Sequence, residues 1–136
     1  MQDTKNQIRS SKQYLNEKDQ KSKKYDLEDR TLKFSKDVRD WLKNVPKSIS
    51  NFEYSKQLVR SSASVGANYI EANESLGKKD FTMRIKISRK EAKESKYWLE
   101  LIEVDNGSFS EEQKLKLIKE ALELIMIFSA IMRKTQ

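Results

Sequence analysis

Between Phe81 and Ile102, small and apolar residues recur without a break in steps of four and three: Phe81, Ile85, Ser88, Ala92, Ser95, Leu99 and Ile102. An α-helix turns once every 3.6 residues, so this alternation puts all seven side chains on one face of one helix. The ends of the row are large and its middle is small. That pattern predicts a helix whose central turns lie close to a neighbour, because Ser and Ala let two axes approach toward the short end of the usual ~8–10 Å separation.

A matching row stands earlier in the chain, in and before the stretch "SSASVGANYIEANES" from Ser61 to Ser75. Phe52, Ser55, Val59, Ser62, Gly66 and Tyr69 share the spacing and the small centre, with Ala63 beside them. Ser62, Gly66, Ser88 and Ala92 are therefore expected where the two helices meet. Gly66 costs about 1 kcal/mol of helix propensity, which a close neighbour must offset. A phosphate-cradling loop would need a different glycine spacing and a preceding strand, and the sequence has neither.

The remainder reads as helix as well. One Pro and three Gly in 136 residues leave few places for the turns of a strand-rich fold, so the chain is expected to be all-α. Leu27, Thr31, Phe34, Val38, Trp41 and Val45 form the face of a first helix, which Pro46 is expected to end. Ser50 with Glu53 suggests a capping box for a second helix starting near Asn51, with Ile49 and Tyr54 as a hydrophobic staple. Gly77 is expected to close that helix in the left-handed conformation. Asn106 and Gly107 mark a stop, and Ser110 with Gln113 suggests the start of a fourth helix. Its apolar residues, from Leu115 to Met132, lie on more than one side, which suggests central burial or a subunit contact. Residues 1–25 hold only Ile8, Tyr14, Leu15 and Tyr25 as large apolar groups, too few for a buried face. They are expected to be a basic, mobile N-terminal arm, leaving residues 26–136 as the helical domain.

Several function classes fall away on residue type alone. The chain has no Cys and no His, which excludes disulfides, His-based proton transfer and thiolate or imidazole zinc sites. Glu71, Glu91 and Glu94 are the candidates for acid chemistry, but a carboxylate-metal bundle would add Glu-x-x-His repeats. No catalysis, cofactor or metal is expected. The N-terminus "MQDTKNQIRSSKQ" lacks the apolar core of a signal peptide, and no run approaches the ~20 apolar residues of a membrane span. A cytoplasmic, bacterial-type setting is the expectation.

Charge supplies the functional lead. The chain carries a net charge of +7, and residues 78–96 hold eight cations against three anions. Lys79, Lys86, Arg89, Lys90, Lys93 and Lys96 fall on one flank of the third helix, and Tyr97 shares that side, where it could stack on a base. Such a stripe favours a polyanion, RNA or DNA, although Lys-rich surfaces also keep bundles soluble. A second candidate surface, for a protein partner, combines Arg60, Asn68 and Glu71 of the second helix with Glu94 and Trp98 of the third. Arg60 and Glu94 are expected to pair.

"QLVRSSASVGANYIEANES" and "KKDFTMRIKISRKEAKESKYWLELI" together resemble the four-helix bundle protein family, also called the 23S rRNA-intervening sequence protein family. The similarity runs from about Phe34 to Arg133. The family pattern maps onto Gln57, Val59 and Arg60, then Ser62 to Ala67, then Asn68, Ile70 and Glu71, and in the next helix onto Asp80, Phe81 and Glu94. Glu71-Ala72 and Lys90-Glu91 stand where many members have Glu-Gly and Gly-Ser. The resemblance implies an up-down-up-down four-helix bundle assembled as a cyclic homopentamer. It brings no catalytic activity with it.

Overall fold

Leu27, Thr31, Phe34, Val38 and Trp41 are all buried, as one continuous helix face requires. The structure, a computed structural model, describes residues 11–135, with side chains from Leu27 to Thr135. Four helices make up the described residues, with no strand among them: α1 (Ser11–Leu42), α2 (Ile49–Asn73), α3 (Lys78–Leu101) and α4 (Phe109–Lys134). The connections at residues 43–48, 74–77 and 102–108 are short, so consecutive helices run antiparallel. Each helix packs on two others, α2 and α4 both flanking α1 and α3, which places α2 diagonally across from α4. The expected bundle is therefore present.

The α3 row is buried from Ile85 through Ile102 with Phe81 half-buried at its start, as its spacing predicts. Phe34, Leu58, Ile85, Leu99, Leu124 and Phe128 fill the centre. Around it, polar links tie the helices together. The Trp41 indole donates to the Ser110 carbonyl at 2.9 Å, joining α1 to α4. Arg30 reaches Glu120 at 2.7 Å and Glu123 at 2.8 Å across the same pair. The Lys114 ammonium donates to the Ile102 carbonyl at 2.7 Å, satisfying a backbone acceptor at the α3 C-terminus.

The seam of small residues divides between two neighbours. Ser61 and Ser95 share a hydrogen bond of 2.8 Å, and the Ser88 hydroxyl donates to the Val65 main-chain carbonyl at 2.9 Å. A side chain as short as serine reaches the backbone of the next helix only where the axes are close, so α2 and α3 meet as expected. Ser62 and Gly66, however, face α1. The Ser35 hydroxyl donates to the Ser62 carbonyl at 2.8 Å, and a Cβ on Gly66 would lie 2.8 Å from the Thr31 hydroxyl oxygen. Small residues cover more than one stripe of α2 because α2 approaches both neighbours.

The helix ends differ from the sequence expectations in five places. Helix α1 begins at Ser11 rather than Leu27 and ends at Leu42, before Pro46. Of the expected arm, residues 1–10 lie outside the described residues, and residues 11–25 have the helical backbone of α1. Ser48, not Ser50, caps α2, its hydroxyl accepting from the Asn51 amide at 3.1 Å. This register buries Asn51, whose carboxamide donates to the Pro46 and Glu103 carbonyls and accepts from the Glu103 amide, clamping two loops. Ile49 is consequently 89% exposed and forms no staple. Phe52 and Val59 are exposed too, since the α2 core row is Leu58, Ser61, Val65, Tyr69 and Ala72. Gly77 is extended, at φ −143°, and serves as the α3 N-cap, its carbonyl accepting from the Phe81 amide. Gly107 is the glycine that takes a positive φ, 75°, and it delivers Ser108 rather than Ser110 to the α4 cap.

Candidate nucleic-acid interface

The outward face of α3 is set by its core row. With Ile85, Ser88, Ala92, Ser95 and Leu99 turned inward, the residues on the opposite side of a 3.6-residue helix are Lys79, Lys86, Lys90, Lys93 and Tyr97. All five are exposed. They fall within about 60° of one another around the axis and span roughly 27 Å along it. Arg89 and Lys96 sit on the flank toward α4 and are only half-exposed. Lys96 pairs with Glu100 at 3.2 Å, whereas Lys79, Lys86, Arg89, Lys90 and Lys93 have no carboxylate within 4 Å among the described residues. Exposed lysines elsewhere are mixed: Lys33 sits beside Asp37, Lys43 beside Asp40, Lys56 beside Glu53 and Lys116 beside Glu112, whereas Lys36 of α1 and Lys119 of α4 have no such neighbour among the described residues. The six predicted cations thus sort into a central file of four, one flanking arginine and one lysine occupied by a neighbour.

A shallow groove of about 460 Å³ runs beside the stripe, lined by Lys86, Ile87, Arg89, Lys90, Lys93 and Glu94. Its acidic member is engaged elsewhere. Arg60 of α2 binds Glu94 at 3.1 Å and Glu91 at 3.2 Å. The hydrogen bond to Glu91, and then the charges of both carboxylates, raise the Arg60 pKa above its ordinary value and outweigh its partial desolvation. Glu91 is buried beside the basic stripe, and the pairing with Arg60 offsets the cost of burying its charge. The expected Arg60–Glu94 pair is present, as part of this triad.

Trp98 extends the triad along the α2–α3 edge. Tyr54 stacks on it with ring centroids 6.0 Å apart, and Tyr97 forms a T-shaped pair with it at 5.2 Å. Its indole N–H is buried without a partner among the described residues. Asn68 belongs to a separate group farther along α2, accepting from Arg84 at 3.1 Å and donating to the Ser64 carbonyl. Glu71 is exposed and touches neither group. The candidate interaction surface therefore divides: Arg60, Glu94 and Trp98 converge, while Asn68 and Glu71 do not join them.

Exposed apolar residues form two further features. Phe52, Val59 and Ile70 line the outer side of α2, and Leu115, Leu122 and Met126 that of α4. The α4 surplus matches the sequence expectation, and α2 carries a second exposed apolar row. A larger depression, about 780 Å³, opens at the α1–α2 connection between Leu42, Val45, Pro46, Ile49 and Phe52. Ile49 had been expected to be covered by Tyr54, so nothing in the sequence pattern pointed to this opening. No helix of the described residues is long and apolar enough to cross a membrane.

A family model described as 23S rRNA-intervening sequence protein matches residues 23–130. A crystal structure of a protein with unknown function from the S23 ribosomal protein family of Bacteroides thetaiotaomicron is similar, with 28% identity, 77% of this chain and 96% of that chain covered, and a TM-score of 0.65. No curated protein matches. The two matches agree with the four-helix architecture and with the residues that carry the sequence resemblance. On these grounds the chain belongs to the 23S rRNA-intervening sequence protein family.

Proposed function

We propose that the protein is a non-catalytic, oligomeric helical bundle that binds RNA, or another nucleic acid, through the outward face of α3. The supporting observation is that Lys79, Lys86, Lys90 and Lys93, all exposed and without carboxylate partners among the described residues, stand in one file on a single helix face, whereas Lys33, Lys43, Lys56 and Lys116 have such partners. Unpaired ammonium groups in a line offer a phosphate backbone the contacts that release counterions. Fluorescence anisotropy with a labelled single-stranded RNA tests it. Saturable binding is expected at ~50 mM salt, weakening with a steep linear dependence on the logarithm of salt concentration. Absence of binding at ~50 mM salt would remove the proposal and leave a protein-interaction module as the better reading.

The apolar rows bear on assembly. Because α2 and α4 are diagonal, Phe52, Val59 and Ile70 lie on the opposite side of the bundle from Leu115, Leu122 and Met126. Two different apolar sides on one molecule favour head-to-tail contact between copies, which closes into a ring or extends as a filament. A ring of five is the form the family resemblance implies, and its repeated stripes would hold one polyanion at high effective concentration. Sedimentation equilibrium is expected to give a multiple of 16.0 kDa, with Leu122→Glu and Met126→Glu together returning the chain to 16.0 kDa. A wild-type species of 16.0 kDa at micromolar concentration would contradict the assembly.

A further inference from the structure

The end of the basic file is aromatic. Lys86, Lys90, Lys93 and Tyr97 follow one another at steps of four, three and four, so they form one continuous line along the helix. Tyr97 is 57% exposed although Trp98 stands beside it. It does not lie flat on that neighbour. The 69° angle to Trp98 is edge-to-face and not a stack, so ring surface stays open to solvent while the contact fixes the ring's orientation. Trp98 is itself held by Tyr54 across the α2–α3 contact. The chain thus presents a supported aromatic face at the point where the line of ammonium groups ends.

We infer that Tyr97 is a stacking platform for an unpaired base and that the α3 face consequently selects single-stranded over double-stranded nucleic acid. This rests on the reading of the stripe as a phosphate-binding surface. In a duplex the faces of the bases are covered by their neighbours, so a duplex can use Lys86, Lys90 and Lys93 but not Tyr97. A single strand can do both: its phosphates follow the lysines, and one base turns onto the phenol ring. Base stacking on an aromatic side chain is tolerant of sequence, because every base has a π-face. The platform therefore sets strandedness and leaves sequence open.

The test compares a labelled twelve-nucleotide RNA with the blunt duplex it forms with its complement, using wild type, Tyr97→Ala, Tyr97→Phe and the triple variant Lys86→Glu, Lys90→Glu, Lys93→Glu. Wild type is expected to favour the single strand. Tyr97→Ala should weaken single-strand binding by about five- to a hundredfold, the range that one stacked base contributes, while duplex affinity changes by less than about twofold. Tyr97→Phe should keep the preference, since the ring and not the hydroxyl stacks. Circular dichroism and sedimentation confirm that each variant keeps its fold and assembly. Equal losses for both RNAs in Tyr97→Ala, or no loss for either, would overturn the platform while leaving the stripe intact. Full binding by the triple variant would instead overturn the stripe, and with it the platform. Binding of neither RNA by wild type overturns both and assigns the face to a protein partner.

Discussion

Replacing Gly66 with leucine is expected to cost the bundle about 3 kcal/mol or more, the upper end of what overpacking a tight core produces. A Cβ at this position already lies 2.8 Å from the Thr31 hydroxyl oxygen and 3.1 Å from the Thr31 Cβ. Thr31 has little room to yield. It is 1% exposed, it is β-branched, and its hydroxyl is committed to the Glu28 carbonyl at 3.0 Å. Leucine would add three more carbons beyond that contact, so α1 and α2 must move apart. Gly66→Ala should be much milder, because about 1 kcal/mol of helix propensity opposes the clash. Urea denaturation at equal protein concentration measures both, since the apparent stability of an oligomer depends on concentration. Thr31→Ala should recover much of the loss in Gly66→Ala, whereas a substitution at Ala92 should not. Unchanged stability in Gly66→Leu would show that α1 and α2 are not in close contact there.

The largest effect on binding is expected from reversing Lys86, Lys90 and Lys93 to glutamate together. All three are exposed, and none holds a carboxylate, so reversal removes no internal contact of the bundle. Arg89 is left in place because it is half-buried on the α4 flank. Single-stranded RNA affinity should fall by at least about a hundredfold at ~50 mM salt, for every sequence tried. The salt dependence should become shallower by about two on logarithmic axes, given ~0.7 for each phosphate contact on a single strand. Loss of affinity confined to some sequences would point to base recognition and not to a phosphate track.

How much of this was legible beforehand depended on the kind of signal. The α3 row was readable because every one of its positions obeys a single helical period, and burial follows that period from Ile85 to Ile102. The small residues of α2 were readable as a close contact, but not as two. A periodic row identifies one face, whereas α2 sits between α1 and α3, and Ser61 bonds Ser95 of α3 while Gly66 faces Thr31 of α1. Helix starts were less legible because Ser48, Ser50, Ser108 and Ser110 are all competent caps, and the choice depends on partners distant in sequence. Asn51 decides the first case by bonding to Glu103. Glu111 takes part in the second, its carboxylate accepting from the Gly107 amide at 2.9 Å.

The candidate site was half legible for a similar reason. Charge and spacing located the lysine file, and a four-three count placed Tyr97 on its line. Which cations are free depends on the carboxylates around them, and there the sequence was a poorer guide. Glu100 lies one turn after Lys96 and occupies it, and Glu91 joins the expected Arg60–Glu94 pair. The result is a stripe more uniformly positive than its composition indicates.

Lysine acetylation footprinting tests that assignment most directly, because it reads the position of a bound nucleic acid on the protein itself. The wild-type protein is treated with an acetylating reagent with and without saturating single-stranded RNA, and modification is quantified at each lysine by mass spectrometry. Lys86, Lys90 and Lys93 are expected to be protected by RNA, while the exposed Lys33, Lys56 and Lys116 on the other three helices continue to react. Protection centred on those other lysines, with Lys86, Lys90 and Lys93 still fully reactive, would contradict the placement of nucleic acid on the outward face of α3.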